Sequence, residues 1–263
     1  PMWSLDEKYV IFVIYKNLFS ISLENGLLTQ HTNFLAAAAK ATPKLSEQEQ
    51  FLKKDQLALF NILQERKTKK DATLKTSKAE KEKAPKEIYL GEKSITHMRL
   101  SPDAQYVTYQ LAENDKSSKS TVVPNYVTES GFTENIPART KVGAPASSYE
   151  FWIYDIARDT TFKLNMKGIA GFTDKPDYLK DYPKLDSSWS KKPRGVIFHG
   201  PFWSENGKNN VVIARSLDNK DRWIMELDLP TQKLKLLDRQ RDEAWIGGPG
   251  IGNYPMSAGE IGW

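Results

Sequence analysis

The sequence predicts a mainly β fold, made of repeated four-stranded antiparallel units and interrupted by one helical segment. Two observations support this prediction: a tight-turn motif that recurs along the chain, and the same succession of strands after each copy. The motif is clearest at residues 203–208 (WSENGK). Its Asn206-Gly207 pair favours a type I′ hairpin turn, because both central residues of that turn need positive φ. A β-branched, apolar run follows at 211–214 (VVIA), as expected of a buried strand.

Two earlier copies of this motif precede the one at 203–208. They lie at 3–8 (WSLDEK) and 100–105 (LSPDAQ), and each leads into an aromatic or β-branched strand. Every copy is then followed by an aromatic-rich strand, a polar turn and a short last strand. Four strands per unit, repeated, are typical of propeller blades. The predicted fold class is therefore an incomplete β-propeller of four-stranded antiparallel blades with an inserted helical segment, and a plain β-sandwich is the alternative.

The repeat divides the whole chain into segments, which we treat as one partial β-propeller over 1–263. The predicted segments are a partial blade at 1–32, a helical insertion at 33–86, a full blade at 87–165, a loop at 166–194, a full blade at 195–238 and the start of a next blade at 239–263. A further copy of the motif is expected to begin at Trp263. We expect the chain to be a piece of a longer protein, because it starts and stops within motifs.

The insertion carries clear helix signals. Ser46 and Glu49 form a capping box, which predicts a helix from about residue 47 to about residue 70. Its apolar residues recur at a helical spacing and predict one stripe; they are Leu45, Leu52, Leu59 and Leu63, with Ile62 beside them. Two interpretations of the stripe stay open: it packs on the propeller or on another part of the protein, or it forms a dimer or partner contact.

Composition and charge exclude several classes of protein. The 263 residues are 39% hydrophobic and include no Cys, which excludes disulfides and Cys-based metal sites. No apolar run is long enough for a membrane span, and no signal peptide is visible. The net charge of +5 is local, since residues 66–86 carry nine Lys or Arg and three Asp or Glu. The remainder is close to neutral, so we expect no nucleic-acid partner and read the basic segment as a solvated, partly disordered helix tail.

The recurring motif also resembles a known blade motif. Trp-Ser-x-Asp/Asn-Gly-Lys before an aromatic or β-branched strand resembles the propellers of the prolyl oligopeptidase family of serine peptidases, in particular the N-terminal region of dipeptidyl peptidase IV-type enzymes. Residues 121–133, 137–143 and 154–156 resemble a bacterial branch of that family. The resemblance covers nearly the whole chain apart from about 35–86. It departs at Asp103-Ala104, where Gly is usual, and at Asn209, which we interpret as a one-residue insertion.

The resemblance implies a function that the chain cannot perform alone. A serine peptidase of this family needs a G-x-S-x-G nucleophile elbow, and the sequence has none. We therefore expect no catalytic residue here, although the parent is expected to be a serine peptidase. The implied function is a non-catalytic propeller fragment that gates and selects peptide substrates for a serine exopeptidase hydrolase domain outside this chain. The alternative is a non-catalytic periplasmic protein-binding propeller. The resemblance implies a periplasmic or secreted location.

Candidate substrate-binding residues come from two charged stretches. The long connection within the second blade carries Glu129, Glu134 and Arg139, which can hold a peptide's amino terminus or carboxylate. The carboxylate pair Asp242 and Glu243 is the second candidate for capture of an amine. A long edge hairpin with solvated charges is the alternative for the first stretch.

No cofactor or metal is expected. Residues 247–252 (GGPGIG) lack the spacing of a nucleotide-binding loop and are predicted to be a flexible loop. The three histidines, His31, His97 and His199, have no metal-ligand spacing and are interpreted as ordinary strand or loop residues. The expected partner is a peptide substrate, which this chain is expected to bind together with the hydrolase domain. An open arc of blades has exposed sheet edges, so we also expect the chain alone to self-associate, as a homodimer for example, or to be marginally stable.

Overall fold

A computed structural model describes residues 1–38, 45–81, 85–141, 144–188, 193–248, 250–252, 259 and 261–262. The fold is mainly β, with four-stranded antiparallel sheets and few helices. It divides into two compact units. The first comprises 1–92 and 156–159, and the second comprises 93–155 and 160–263. The expected motif start at Trp263 lies outside the described residues.

The first unit contains an antiparallel sheet in the order β1-β2-β3-β4. Its strands are β1 (Met2–Trp3), β2 (Tyr9–Ile14), β3 (Asn17–Ser22) and β4 (Leu28–Gln30). A parallel pair, β5 (Asn33–Leu35) and β6 (Glu87–Tyr89), brackets the inserted segment. The two ends of the insertion therefore lie side by side.

The insertion forms two helices where the sequence predicts one. Helix α1 (Glu47–Leu59) begins at the predicted capping box, in which the Ser46 hydroxyl accepts from the Glu49 N–H and the Glu49 carboxylate accepts from the Ser46 N–H. Phe60 is extended and ends α1, and helix α2 (Asn61–Lys81) follows. Asn favours a helix start over a helix interior, and the Lys-rich tail is made of good helix formers, so α2 continues past the predicted end.

The second unit contains two further sheets of the same kind. The sheet in the order β12-β11-β8-β7 contains β7 (Ser94–Leu100), β8 (Tyr106–Glu113), β11 (Ser148–Asp155) and β12 (Thr160–Lys163). The connection from β8 to β11 folds into its own hairpin, β9 (Ser120–Asn125) and β10 (Glu134–Thr140). A long edge hairpin with solvated charges was the alternative to a substrate-binding segment that the sequence left open for this connection.

The last sheet, in the order β13-β14-β15-β16, is the most buried one. Its strands are β13 (Val196–Trp203), β14 (Asn210–Ser216), β15 (Asp221–Asp228) and β16 (Lys233–Arg241). The preceding segment, predicted as a loop, contains a 3₁₀ helix (Asp177–Asp181) and α3 (Pro183–Ser188). Short helical turns such as these are too brief to show a periodicity in sequence. Trp223, which is fully buried, packs in a core that joins both sheets of this unit.

One turn geometry recurs in all three sheets. In the first copy the Ser4 hydroxyl donates to Asp6 Oδ1 (2.6 Å) and accepts from the Tyr9 N–H (2.9 Å). The Asp6 carboxylate also accepts from the Lys8 N–H (3.2 Å), which is an Asx turn. The residue after the Asx position has positive φ, and these residues are Glu7 (56°), Ala104 (55°) and Gly207 (68°).

The copy at 203–208 corrects two expectations. Asn206 does not have positive φ, so the predicted type I′ turn is wrong; its side chain instead accepts from Ser204 Oγ (2.9 Å) and from the Lys208 N–H (3.0 Å). Asn209 is not an insertion, because its N–H donates to Ser204 Oγ (3.0 Å) as the Tyr9 N–H does to Ser4 Oγ. The Asx side chain thus fixes the turn whether or not Gly follows it.

A fourth copy of the turn, missed in the sequence, joins β14 to β15. Ser216 Oγ accepts from the Asp221 N–H (2.9 Å), and Asp218 Oδ1 accepts from the Lys220 N–H (3.1 Å). Asn219 has φ 62°. The spacing S-x-D-x-K at 216–220 carries the signal, but no Trp precedes it.

Candidate functional site

The predicted glutamates lie at one end of the β9–β10 hairpin. Glu129 and Glu134 line an open depression of about 650 Å³ together with Asn125, Thr128 and Ser130. The hairpin end is held by its own hydrogen bonds, including one from the Thr128 hydroxyl to the Phe132 carbonyl (2.6 Å). Both carboxylates are exposed. The structure therefore brings these two side chains to one surface that solvent reaches freely.

Arg139 lies near the opposite end of the same hairpin. The register pairs Glu134 with Asn125 and Thr140 with Ser120, so Arg139 is close to the far end of the ladder. Five residues of extended strand separate Arg139 from Glu134, which is roughly 16 Å. The structure therefore does not bring Arg139 together with the glutamates, and its role in binding a peptide stays a prediction.

Asp242 and Glu243, the second predicted pair, have separate partners. Asp242 Oδ1 accepts from the N–H groups of Ala244 (2.7 Å) and Trp245 (3.1 Å), so it caps a turn. Glu243 Oε1 accepts from Arg241 Nη2 (2.9 Å). Hydrogen bonding to Glu243 and then Lys180 lowers the pKa of Asp177, whose carboxylate also accepts from Arg241 (3.0 Å). The Arg241 guanidinium thus already contacts Glu243, and the role of this pair in capturing an amine stays a prediction.

A buried charge network beside Glu243 was missed in the sequence. Asp221 is fully buried and forms ion pairs with Arg239 (2.8 Å), Arg241 (2.9 Å) and Arg194. Because a buried charge is costly unless paired, three guanidiniums around one carboxylate hold this arrangement in place. Arg239 and Arg241 lie two residues apart on β16 and so share a face, which is the signal available in the sequence.

The outer ends of the same guanidiniums hold the segment that precedes β13. Arg239 contacts Asp174 (3.0 Å) and Arg241 contacts Asp177 (3.0 Å). Gly171 has φ 83°, and a Cβ there would collide with the Arg239 guanidinium. Arg194 lies over the Trp223 ring at 5.7 Å. These contacts pair the charged groups of the network with one another. The role of the network is therefore structural: it holds the segment before β13 against the last sheet.

The second unit also contains a cavity of about 600 Å³ with a charged rim. Phe151, Phe172 and Phe198 contribute apolar walls, and Glu150 and Lys163 contribute charge. Burial alone would raise the pKa of Glu150, but hydrogen bonds from Lys163 (2.8 Å), Lys93 (2.8 Å) and Trp152 outweigh it and lower the pKa to about 2. The Glu150 carboxylate is therefore ionised and already accepts hydrogen bonds from three side chains.

The histidines lie on strands or beside them. His31 is buried against Ser20 Oγ (2.8 Å), and burial lowers its pKa. His97 and His199 lie at bulges of β7 and β13, with ring centroids 6.2 Å apart. Burial, followed by the charge of Arg99, lowers the pKa of His97. Among the described residues no group of three or more His, Cys, Asp or Glu side chains could hold a metal ion.

No helix among the described residues is long and apolar enough to cross a membrane. No protein-family model matches the sequence, and no curated protein matches it.

Two solved structures are similar to this chain. A crystal structure of Porphyromonas gingivalis dipeptidyl peptidase 4 matches with a TM-score of 0.42 and 12% identity, covering 93% of this chain and 26% of that chain. A structure described as a dipeptidyl aminopeptidase IV of Bacteroides ovatus matches with a TM-score of 0.38 and 10% identity, covering 91% of this chain and 29% of that chain. The chain thus spans under a third of the length of either structure. Both solved structures bear the name of the enzyme type that the sequence motif resembles.

Proposed function

We propose that this chain is part of a β-propeller that gates and selects peptide substrates for a serine exopeptidase hydrolase domain lying outside the chain. The observation that carries the proposal is the repeat: the same Ser–Asx turn closes the first two strands of three successive four-stranded antiparallel sheets. Repetition of one four-stranded unit is typical of propeller blades. The chain supplies no nucleophile elbow of its own.

The partners and location follow from the same proposal. The proposed substrate is a short peptide, which this chain binds together with the hydrolase domain. The protein is exported to the periplasm or secreted. Glu129 and Glu134 are the proposed contacts for a peptide amine, since they share one exposed depression. A second copy of the chain is a further proposed partner, because the apolar side chains of α1 are exposed; Phe51 and Leu59 are 67% and 66% accessible.

Labelling and cleavage test the proposal. The complete gene product should react with a fluorophosphonate probe and release p-nitroaniline from Gly-Pro-p-nitroanilide, whereas the 263-residue chain should do neither. A complete gene product that takes no label and cleaves no dipeptidyl substrate would favour the second candidate, a periplasmic protein-binding propeller. The absence of G-x-S-x-G from this chain is compatible with both.

The predicted substrate contacts have their own test within the active protein. Glu129→Gln and Glu134→Gln should raise KM for substrates with a free amino terminus and leave substrates with a blocked amino terminus unaffected. Glu205→Gln, on another exposed turn, is the matched control. Equal effects on free and blocked substrates would remove amine capture from the proposal.

A further inference from the structure

The β9–β10 hairpin leaves both of its edges open. It is a two-stranded sheet, and no third strand pairs with it in the described part of the chain. None of the residues from 119 to 141 is buried. A strand edge that is neither paired nor covered offers its N–H and C=O groups to another chain in an extended conformation. The hairpin thus has the backbone groups that are needed to bind a further strand.

Two prolines indicate which backbone groups of β9 point outwards. Pro124 lies opposite Asn135 in the ladder, and these two residues form one pair. Pro137 lies opposite Val122 and forms the next pair of the same kind. Because proline has no N–H, the hydrogen bonds between the two strands fall to the alternate pairs. The C=O of Pro124 and both backbone groups of Val122 therefore face outwards, and so do those of Ser120 two residues earlier.

The two ends of the hairpin carry opposite charges. Glu129 and Glu134 lie at the turn end, where they line the open depression. At the other end, where the chain enters and leaves the hairpin, lie Lys119, Arg139 and Lys141. All five side chains are exposed. An extended peptide has the same arrangement of charge, with an ammonium at one end and a carboxylate at the other.

Charge and strand direction together select the β9 edge. β9 runs from Ser120 towards the two glutamates, so an antiparallel peptide on it has its amino terminus at the glutamates and its carboxylate beside Lys119. β10 runs the opposite way, and an antiparallel peptide on its edge would have its charges reversed. Antiparallel pairing is slightly more stable per residue than parallel pairing. The β9 edge therefore fits a peptide in one orientation.

We propose that the β9 edge binds an extended peptide of about five residues with both termini free, as a third antiparallel strand. The inference rests on the proposed role of Glu129 and Glu134 in holding an amine. The first peptide residue lies opposite Pro124, so its ammonium reaches the Pro124 carbonyl and the glutamates. The third exchanges both of its backbone hydrogen bonds with Val122, and the fifth lies opposite Ser120. Four residues of strand, roughly 13 Å, separate Pro124 from Ser120, and this distance sets the peptide length.

Pro124 also limits what can bind. Its ring stands where an N–H would donate to a further carbonyl, so pairing cannot continue past this residue towards the turn. A strand within a folded protein continues in both directions and would meet the ring, whereas a peptide that ends at its ammonium does not. The edge therefore favours a free amino terminus over an internal strand, and over the β9 strand of a second copy.

The test is a titration of the 263-residue chain with the peptide Thr-Val-Thr-Val-Thr, measured by calorimetry and by the backbone amide resonances of the chain. Binding should saturate and should shift the amide resonances of Ser120 and Val122. N-methylation of the third peptide residue removes an N–H that points at the edge, and it should weaken binding by about fivefold or more. N-methylation of the fourth residue, whose N–H points away, is the matched control and should leave the affinity unchanged. An equal loss for both peptides, or no saturable binding of the parent peptide, would overturn the proposal.

Two proline variants distinguish the two edges of the hairpin. Val122→Pro removes an outward N–H of β9 and should abolish binding. Asn135→Pro makes the same change on the β10 edge and should leave binding intact, as the matched control. Neither N–H lies in the ladder, so the amides of Val123 and Ile136 should stay protected from hydrogen exchange in both variants. Binding that survives Val122→Pro, or that both variants lose with the hairpin intact, would overturn the assignment to β9.

A nitroxide on a peptide side chain tests the direction of the bound peptide. On the fifth residue it should broaden the amide resonance of Ser120, and on the first residue that of Thr128. The reverse pattern would contradict the orientation that the charges select.

The same variants identify a second copy as the occupant, should that be the outcome. If the chain sediments as a dimer that Val122→Pro dissociates, and no peptide binds, the edge pairs with another copy and the proposal is wrong. None of these measurements needs the hydrolase domain. They can therefore fail while the complete gene product is labelled and cleaves its substrate, and they can succeed while it does neither.

Discussion

The first and last sheets share one turn but differ in how well they are buried. Ser4 and Ser204 make the same two hydrogen bonds in their turns. Beyond the turn, β13 is buried over its first six residues, whereas β2 has one buried residue and leaves Val13 and Ile14 exposed. The turn therefore forms from local side chains, while burial of the strands depends on what packs against them.

The largest effect is expected at Asp221, the buried carboxylate of the last sheet. Asp221→Asn should destabilise the second unit by about 3–5 kcal/mol, because it leaves three guanidiniums without their central charge. Urea unfolding followed by tryptophan fluorescence measures this. Asp174→Asn is the control: it removes an exposed partner of Arg239 and should cost no more than about 1 kcal/mol. Equal losses in both variants would mean that Asp221 does not anchor the network.

The turn serines come next and test the comparison directly. Ser204→Ala and Ser101→Ala should each cost about 1–2 kcal/mol, since both hydroxyls are buried and water cannot replace them. Ser4→Ala should cost less, because that turn is more exposed. Hydrogen exchange of the amides that donate to these hydroxyls, those of Asn209, Tyr106 and Tyr9, reports each loss locally. A larger increase in the exchange rate of the Tyr9 amide in Ser4→Ala than of the Asn209 amide in Ser204→Ala would contradict this comparison.

Acid should weaken the second unit through Glu150. Its folded pKa is about 2, below the ordinary value of 4.5, so its stabilising contribution is present above about pH 4.5 and is lost as the pH falls towards 2. After solvent screening the contribution is about 1–2 kcal/mol. Unfolding midpoints of Glu150→Gln and the unaltered chain should therefore differ at pH 7 and converge near pH 2. A constant difference across this range would show that the charge is not responsible.

The smallest effects concern the positive-φ residue of the turn. Ala104→Gly should stabilise by up to about 1 kcal/mol, because Ala is strained at φ 55° and Gly is not. Gly207→Ala should destabilise by a similar amount for the converse reason. If the two turns are equivalent, the melting temperature should rise in Ala104→Gly and fall in Gly207→Ala. The same sign in both would contradict that equivalence.

The repeat, the strands and the capping box could be predicted from sequence because each depends on neighbouring residues. Ser46 and Glu49, for example, are three residues apart and cap the helix on their own. The two-helix break at Phe60 was not foreseeable, since no Pro or Gly marks it. The turn type was mistaken because Asn206-Gly207 matches a hairpin rule, whereas the outcome depends on the Ser204 hydroxyl two residues earlier.

The buried charge network was harder to predict because its members are distant in sequence. Asp221 meets Arg194 and two residues of β16, and no local pattern joins these positions. The proximity of Glu129 and Glu134 could be predicted because one short hairpin contains both.

Substrate-length selection by the complete gene product tests the central claim most directly. The measurement is kcat/KM for a series of peptides with one Gly-Pro amino terminus and increasing length. If this chain is part of a gating propeller, kcat/KM should stay nearly constant among short peptides and fall steeply once the substrate is a folded protein. Cleavage of a folded protein as fast as a short peptide, with the chain intact, would contradict gating.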